Sequence, residues 1–380
     1  MARIIWLFAV ATMSVVDGGP VLYVEPEQVH LSYGALPTQM LVTWTTFDPT
    51  NDSVVEFGED GLDRQATGQS TKFYDGGSER RLIYIHRVLL EDLTPGAFYV
   101  YHCGSRMGWS ATFWFRAKNA SARWSPRLAV FGDMGNVNAQ SLPFLQEEAQ
   151  KGTIHAALHV GDFAYNMDSD NARVGDEFMR QIEPVAAYVP YMTCVGNHEN
   201  AYFDIGPAHI ISLSTEFYFF VEYGFLQIKN QYEWLEQDLK VRKGIPLVHL
   251  YGLEDLFYKY GVDLEFWAHE HSYERLWPVY NRQVYNGSAE KPYTNPRAPV
   301  HIITGSAGCQ EKLDPFVRNP ADWSAARFSD YGYTVMTLHN GTHLSLQQFS
   351  VENGLQLLDE ITIVKENHGA YPTFHRGATE

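Results

Sequence analysis

Apolar positions follow two rhythms along this chain. Between residues 26 and 118 the runs are short and alternating, at 28–32, 40–46, 54–58, 83–90, 97–103 and 112–116. Pro, Gly, Asn and Asp divide them, and no helical period is sustained, a pattern that predicts a β-sandwich. Trp44, Tyr99 and Tyr101 fall inside these runs and are expected to form its aromatic core rather than a ligand platform. Residues 119–126 read as a linker. Beyond it, strand and helix patterns alternate. Helices are expected at 141–150, at 178–182 ending before Pro184, at 231–240 and at 253–260. Strands are expected at 186–195, as a pair across 203–215 around Gly206-Pro207, and at 262–268, 301–304, 334–338, 344–349 and 356–364. Alternating units of this kind predict a layered α/β sandwich with helices outside two packed sheets.

Four apolar runs in this second region each stop at a residue type that binds metals. Residues 128–131 precede Gly132-Asp133, 156–160 precede Gly161-Asp162, 191–195 precede Gly196-Asn197-His198, and 264–268 precede His269-Glu270-His271. A short apolar run halted by a turn residue is a buried strand entering a loop. In open α/β sheets the site lies just past the carboxyl ends of such strands, so four distant segments can meet there. The donors are carboxylate, amide and imidazole, which suit one or two transition-metal ions rather than calcium or a Cys-rich zinc finger. A lone Gly-Asp or His-x-His is usually only a turn; four in succession after apolar runs are a constellation. A two-metal site of this composition is used to hydrolyse phosphate esters.

The segments Gly132-Asp133-Met134-Gly135, Gly161-Asp162-Phe163-Ala164-Tyr165, Gly196-Asn197-His198-Glu199 and residues 268–275, Ala-His-Glu-His-Ser-Tyr-Glu-Arg, resemble the signature blocks of the purple acid phosphatases. The resemblance implies two domains: a fibronectin III-like β-sandwich over 24–118 and a calcineurin-like metallophosphoesterase α/β sandwich over 126–366. It implies ferric iron at a first site held by Asp133, Tyr165 and His271. Asp162 would bridge to zinc or Fe(II) at a second site, which Asn197 and His269 would also hold. It implies that His198 contacts the phosphate or protonates the leaving alkoxide. The expected activity is hydrolysis of a phosphate monoester by metal-bound hydroxide.

Composition adds a compartment and removes some partners. Arg3 followed by an apolar stretch at 4–16 and small residues at 17–19 reads as a secretory signal peptide over 1–19, too short to span a bilayer. Sequons at Asn51, Asn119, Asn286 and Asn340 agree with a secreted glycoprotein. A formal charge of −17 leaves no basic surplus for a nucleic-acid backbone. It does not oppose a phosphate substrate, which a local metal cluster attracts. No later segment reaches transmembrane length. Cys103, Cys194 and Cys309 are too few for a disulfide scaffold, and Cys194 reads as core.

One block of the family pattern is missing. The family places a Gly-His ligand block, and a second histidine that touches substrate, between Asn197 and His269. Here residues 241–249, Val-Arg-Lys-Gly-Ile-Pro-Leu-Val-His, run directly into Leu250-Tyr251-Gly252, and the stretch after Glu199 is also short. Both places look like internal deletions. His249 is the remaining candidate to fill the gap, although Pro246 interrupts its strand pattern. His155, His159, His209 and His301 read as packing or strand residues. Two functional readings stay open: a working acid phosphatase, and a catalytically impaired truncated form or pseudo-phosphatase glycoprotein one histidine short at the second metal.

Overall fold

The structure is a computed structural model that describes residues 22–193, 201–205, 208–213, 225–240, 253–268, 270–352 and 354–372. The N-terminal region is a β-sandwich. One sheet orders Glu27–Tyr33, Met40–Thr46, Leu82–Leu90 and Gln69–Tyr74. The other orders Arg64–Thr67, Val54–Gly58, Phe98–Ser105 and Gly108–Trp109, with Phe113–Arg116 also paired to Phe98–Ser105. Successive side chains of a strand point to opposite faces. Val42 and Trp44 therefore meet Val55, Phe57, Tyr99, Tyr101 and Phe115 in one dry cluster. Trp44, Tyr99 and Tyr101 are the core aromatics their pattern predicted. Three strands had escaped the pattern, Arg64–Thr67, Gln69–Tyr74 and the two-residue Gly108–Trp109. The second is exposed at every position, so it has no buried face to print an alternation.

The second region stacks two sheets. The larger orders Tyr191–Thr193, Ala156–Val160, Arg127–Gly132, Gly332–Asn340, His343–Ser350 and Gln356–Val364, the first three parallel and the rest antiparallel. The smaller orders Leu264–Trp267, Val300–Thr304, Tyr273–Leu276 and Ser324–Phe328. Alternation along Arg127–Gly132 builds two cores at once. Leu128 and Val130 pack toward Val300, Ile302 and Tyr273 of the smaller sheet. Ala129 and Phe131 pack toward the helices Leu142–Gln150 and Ser169–Ala186. A strand covered on both faces reads as a continuous apolar run, which is why 128–131 lacks polar interruptions. Ala201–Ile205 and Ala208–Ser212 pair antiparallel, the strand pair expected across 203–215 starting two residues earlier.

The helix expected to stop before Pro184 does not. Ser169–Ala186 carries Pro184 within its last turn. That position is tolerated because the chain leaves the helix two residues later, so the missing N–H weakens only a terminal turn. At its other end Asp170, Asn171 and Ala172 have left-handed φ, and the Asn171 side chain accepts hydrogen bonds from the Glu79 N–H at 3.0 Å and from Ser78 Oγ at 3.2 Å. The same helix joins the two regions. Glu183 accepts from the Val29 N–H at 2.9 Å, Gln28 donates to Asp176 at 3.1 Å, and the Tyr101 hydroxyl donates to the Ala187 carbonyl at 2.7 Å. Among the described residues no helix is long and apolar enough to cross a membrane.

Candidate metal centre

Parallel pairing sets Gly132 opposite Val160, so the loops that begin with Asp133 and Asp162 start side by side. Adjacent strands lie about 4.8 Å apart, close enough for both carboxylates to serve one cluster. Asp133 is fully buried and adopts φ +55°, and its Oδ1 accepts the Asp162 N–H at 3.2 Å. Gly161, at φ +85°, permits the approach: a Cβ there would stand 3.2 Å from both Asp133 carboxylate oxygens and 2.5 Å from the Ala268 Cβ. The Gly135 N–H donates to the Phe163 carbonyl at 2.8 Å and ties the two loops together. Tyr165 also sits at positive φ, +55°. Left-handed backbone at non-glycine residues costs roughly 1–2 kcal/mol each and persists only where surrounding contacts enforce it.

The smaller sheet delivers the imidazole. After Leu264–Trp267 the chain turns, and the His271 N–H donates to Asp314 Oδ2 at 2.8 Å. His271 Nδ1 lies 3.1 Å from the Lys312 carbonyl, which can only accept, so Nδ1 carries the proton. Nε2 is then the lone pair, and the Tyr165 hydroxyl donates to it at 2.8 Å. A histidine whose far nitrogen is tied to a backbone carbonyl is oriented as metal-ligating histidines are. Burial is the first cause that pushes the Tyr165 phenol far above its ordinary pKa, and the neighbouring Cys309, Asp133 and Asp162 add to this. A phenolate here needs a nearby cation, so a carboxylate, phenol and imidazole set on a buried Asp133 fits a hard, highly charged ion.

The structure brings Asp133, Asp162, Tyr165 and His271 to one place. Asn197, His198 and His269 lie outside the described residues, as do His249 and Cys194. The other histidines pack as expected. His159 is buried between Tyr191 and the Asp162 carbonyl, and burial lowers its pKa to about 3. His301 accepts from Trp267 Nε1 at 3.1 Å, with its pKa lowered by burial to about 4. His209 pairs with Asp238 at 2.9 Å, and His155 accepts the Arg127 N–H at 3.0 Å. Of the sequons, Asn51 and Asn340 are exposed, whereas Asn119 and Asn286 are half-buried.

One residue beside the centre was not found by pattern. Cys309 is buried and free, and its Sγ lies 2.9 Å from His271 Nδ1 and 3.3 Å from Nε2. A signal existed: Val300–Thr304 is a fifth apolar run, stopped like three of the others by a glycine, and its loop carries Cys309 into the cluster.

Family models match three successive stretches. A purple acid phosphatase N-terminal domain matches residues 26–117, a calcineurin-like phosphoesterase 126–273, and an iron/zinc purple acid phosphatase-like C-terminal domain 298–360. Acid phosphatase type 7 of Mus musculus is 52% identical over 403 aligned residues, covering 90% of this chain and 92% of its own length. The Homo sapiens protein of that name is 52% identical over 404, with the same coverage. Because 90% of 380 residues cannot fill 403 positions, dozens of aligned positions carry a residue in the mouse protein and none here. The fold resembles a purple acid phosphatase from yellow lupin seeds, with a TM-score of 0.73 over 93% of this chain and 78% of that one, at 23% identity. By sequence and by fold together, the chain belongs to the purple acid phosphatase family.

Proposed function

We propose that this chain is a secreted, glycosylated acid phosphatase that hydrolyses phosphate monoesters at a binuclear centre. Asp133, Tyr165 and His271 would hold ferric iron at the first site, and Asp162, Asn197 and His269 would hold zinc or Fe(II) at the second. The observation that carries this reading is the Tyr165 hydroxyl 2.8 Å from a His271 nitrogen whose partner nitrogen is committed to a carbonyl. That arrangement puts a phenol oxygen and an imidazole nitrogen side by side, as two ligands of one ion would lie.

Bound metals supply Lewis acidity toward a phosphate oxygen and a water acidified toward neutral pH. The chain's own residues do the rest. Asp133, fully buried, and Asp162 beside it present carboxylates from adjacent loops. Tyr165 offsets the charge of the first position. His198, beside a ligand in sequence, donates a proton to the leaving alkoxide, and the ordinary histidine pKa suits an acid optimum.

Protein secreted from iron-replete cells is expected to be coloured by a tyrosinate-to-iron band. Tyr165→Phe should abolish the band and most aryl phosphate hydrolysis at acid pH. A colourless, iron-free wild type overturns the assignment. Secretion predicts a second result: glycosidase treatment should raise gel mobility, through Asn51 and Asn340 at least, since both are exposed. Recovery from the cytosol with Met1 retained and mobility unchanged would contradict it. The missing Gly-His block favours a second reading, a catalytically impaired form that keeps the iron half-site but binds the second metal weakly.

A further inference from the structure

We propose that His271, Cys309 and Glu311 form a site for a thiophilic divalent cation such as zinc or cadmium, and that its occupancy excludes iron from the Asp133–Tyr165–His271 position. One nitrogen, one sulfur and one carboxylate oxygen from these residues all lie within 4.8 Å of one another. Zinc takes thiolate at about 2.3 Å and imidazole at about 2.0 Å, so tetrahedral geometry places sulfur and nitrogen about 3.5 Å apart. Cys309 Sγ lies 3.3 Å from His271 Nε2 and 2.9 Å from Nδ1, close to the separation that a shared cation requires.

The thiol is held in place from several sides. The Cys309 N–H donates to the Met134 carbonyl at 3.1 Å, and its carbonyl accepts from Asn138 at 3.0 Å. The Glu311 N–H donates to Sγ at 3.3 Å, so the 309–311 segment curls around the sulfur. His271 and Cys309 are buried while Glu311 is exposed, which leaves the carboxylate as the approach from solvent. The Asp314 carboxylate, 3.8 Å from His271 Nδ1, adds negative charge. On coordination the thiol releases its proton to solvent, and no electrons are transferred.

Exclusion follows from the tautomer. Nδ1 is committed to the Lys312 carbonyl, so both sites compete for the single Nε2 lone pair. Soft thiolate selects zinc or cadmium, whereas Asp133 and Tyr165 are hard oxygen donors. The exclusion rests on the iron assignment proposed above; cation binding at Cys309 does not.

The test titrates metal-stripped, full-length protein with cadmium chloride and follows the ultraviolet thiolate-to-cadmium band. One equivalent per chain should bind with the band in wild type and in Tyr165→Phe. Cys309→Ala should lose the band, Cys309→Ser should bind at least 10-fold more weakly, and Glu311→Gln should also weaken binding. Circular dichroism establishes that each variant is folded. Cadmium-loaded wild type should then take up iron at least 10-fold more slowly, whereas Cys309→Ala should take it up regardless of cadmium. A band that survives in Cys309→Ala, or no band in wild type, overturns the site. Simultaneous retention of cadmium and the iron band overturns the exclusion. A cadmium band in a protein that never binds iron would leave this site standing and remove the iron assignment instead.

Discussion

Insertion of a Gly-His block between Lys240 and Leu250 should raise acid aryl phosphatase activity by about a thousandfold or more. On the proposed ligand set, the second metal would have only Asp162, Asn197 and His269 from the protein. Loss of even a supporting group around a metal costs ~10–100-fold in affinity or activity, and loss of a direct ligand costs at least that. The family's second histidine, which touches substrate, is absent as well, and removing such a transition-state donor costs another ~100-fold or more. The measurement is kcat and KM for an aryl phosphate with and without the inserted block, at several zinc and Fe(II) concentrations. Added metal should recover part of the deficit in the native chain, since weak binding is one of its two causes. If His249 has been recruited as a ligand, His249→Ala removes the residual activity. Equal turnover by the two versions, with His249→Ala silent, would show that the block is dispensable and that the ligand set proposed for the second metal is wrong.

Gly305→Ala is the second substitution with a large expected effect, and only the packed structure reveals why. A Cβ at Gly305 would stand 2.2 Å from the Glu270 carbonyl oxygen and 2.6 Å from Asp133 Oδ2. Neither can swing aside: one is backbone in the turn that carries His271, and the other is a fully buried carboxylate. The Gly305 N–H also donates to the Ser272 carbonyl at 3.2 Å, so that turn would have to move with it. Overpacking of this kind costs about 1–3 kcal/mol, which lowers Tm by several degrees in a protein of this size. It also shifts Asp133 relative to His271, so iron affinity and activity should fall ~10–100-fold. Gly341→Ala is the control, since nothing lies within 4 Å of a Cβ there. A Gly305→Ala protein with normal Tm and full iron would refute the proposed convergence of these loops.

Pattern reading succeeded where burial is one-sided or complete. Met40–Thr46, Val54–Gly58, Leu253–Tyr260 and Gln356–Val364 match their expected limits, because their side chains face a core whose period the sequence must respect. It failed where no such face exists, at the fully exposed Gln69–Tyr74. It also stopped the Ser169–Ala186 helix too soon, because proline's effect depends on how much helix follows it.

Strand ends were determined by the sequence alone. A buried strand must be apolar, and a ligand must not be, so the change at Gly132-Asp133, at Gly161-Asp162 and at Ala268-His269 marks both the strand limit and the chemistry in one local signal. What only the tertiary structure decided is what meets across the gap between loops. The Lys312 carbonyl that sets the His271 tautomer, the glycine at 305 that lets Asp133 approach, and the Cys309 thiol over the imidazole all come from segments more than thirty residues from their partners. Hydrogen-bond direction and steric clearance are properties of atom pairs, and the identity of a pair so distant in sequence exists only once the two sheets have packed.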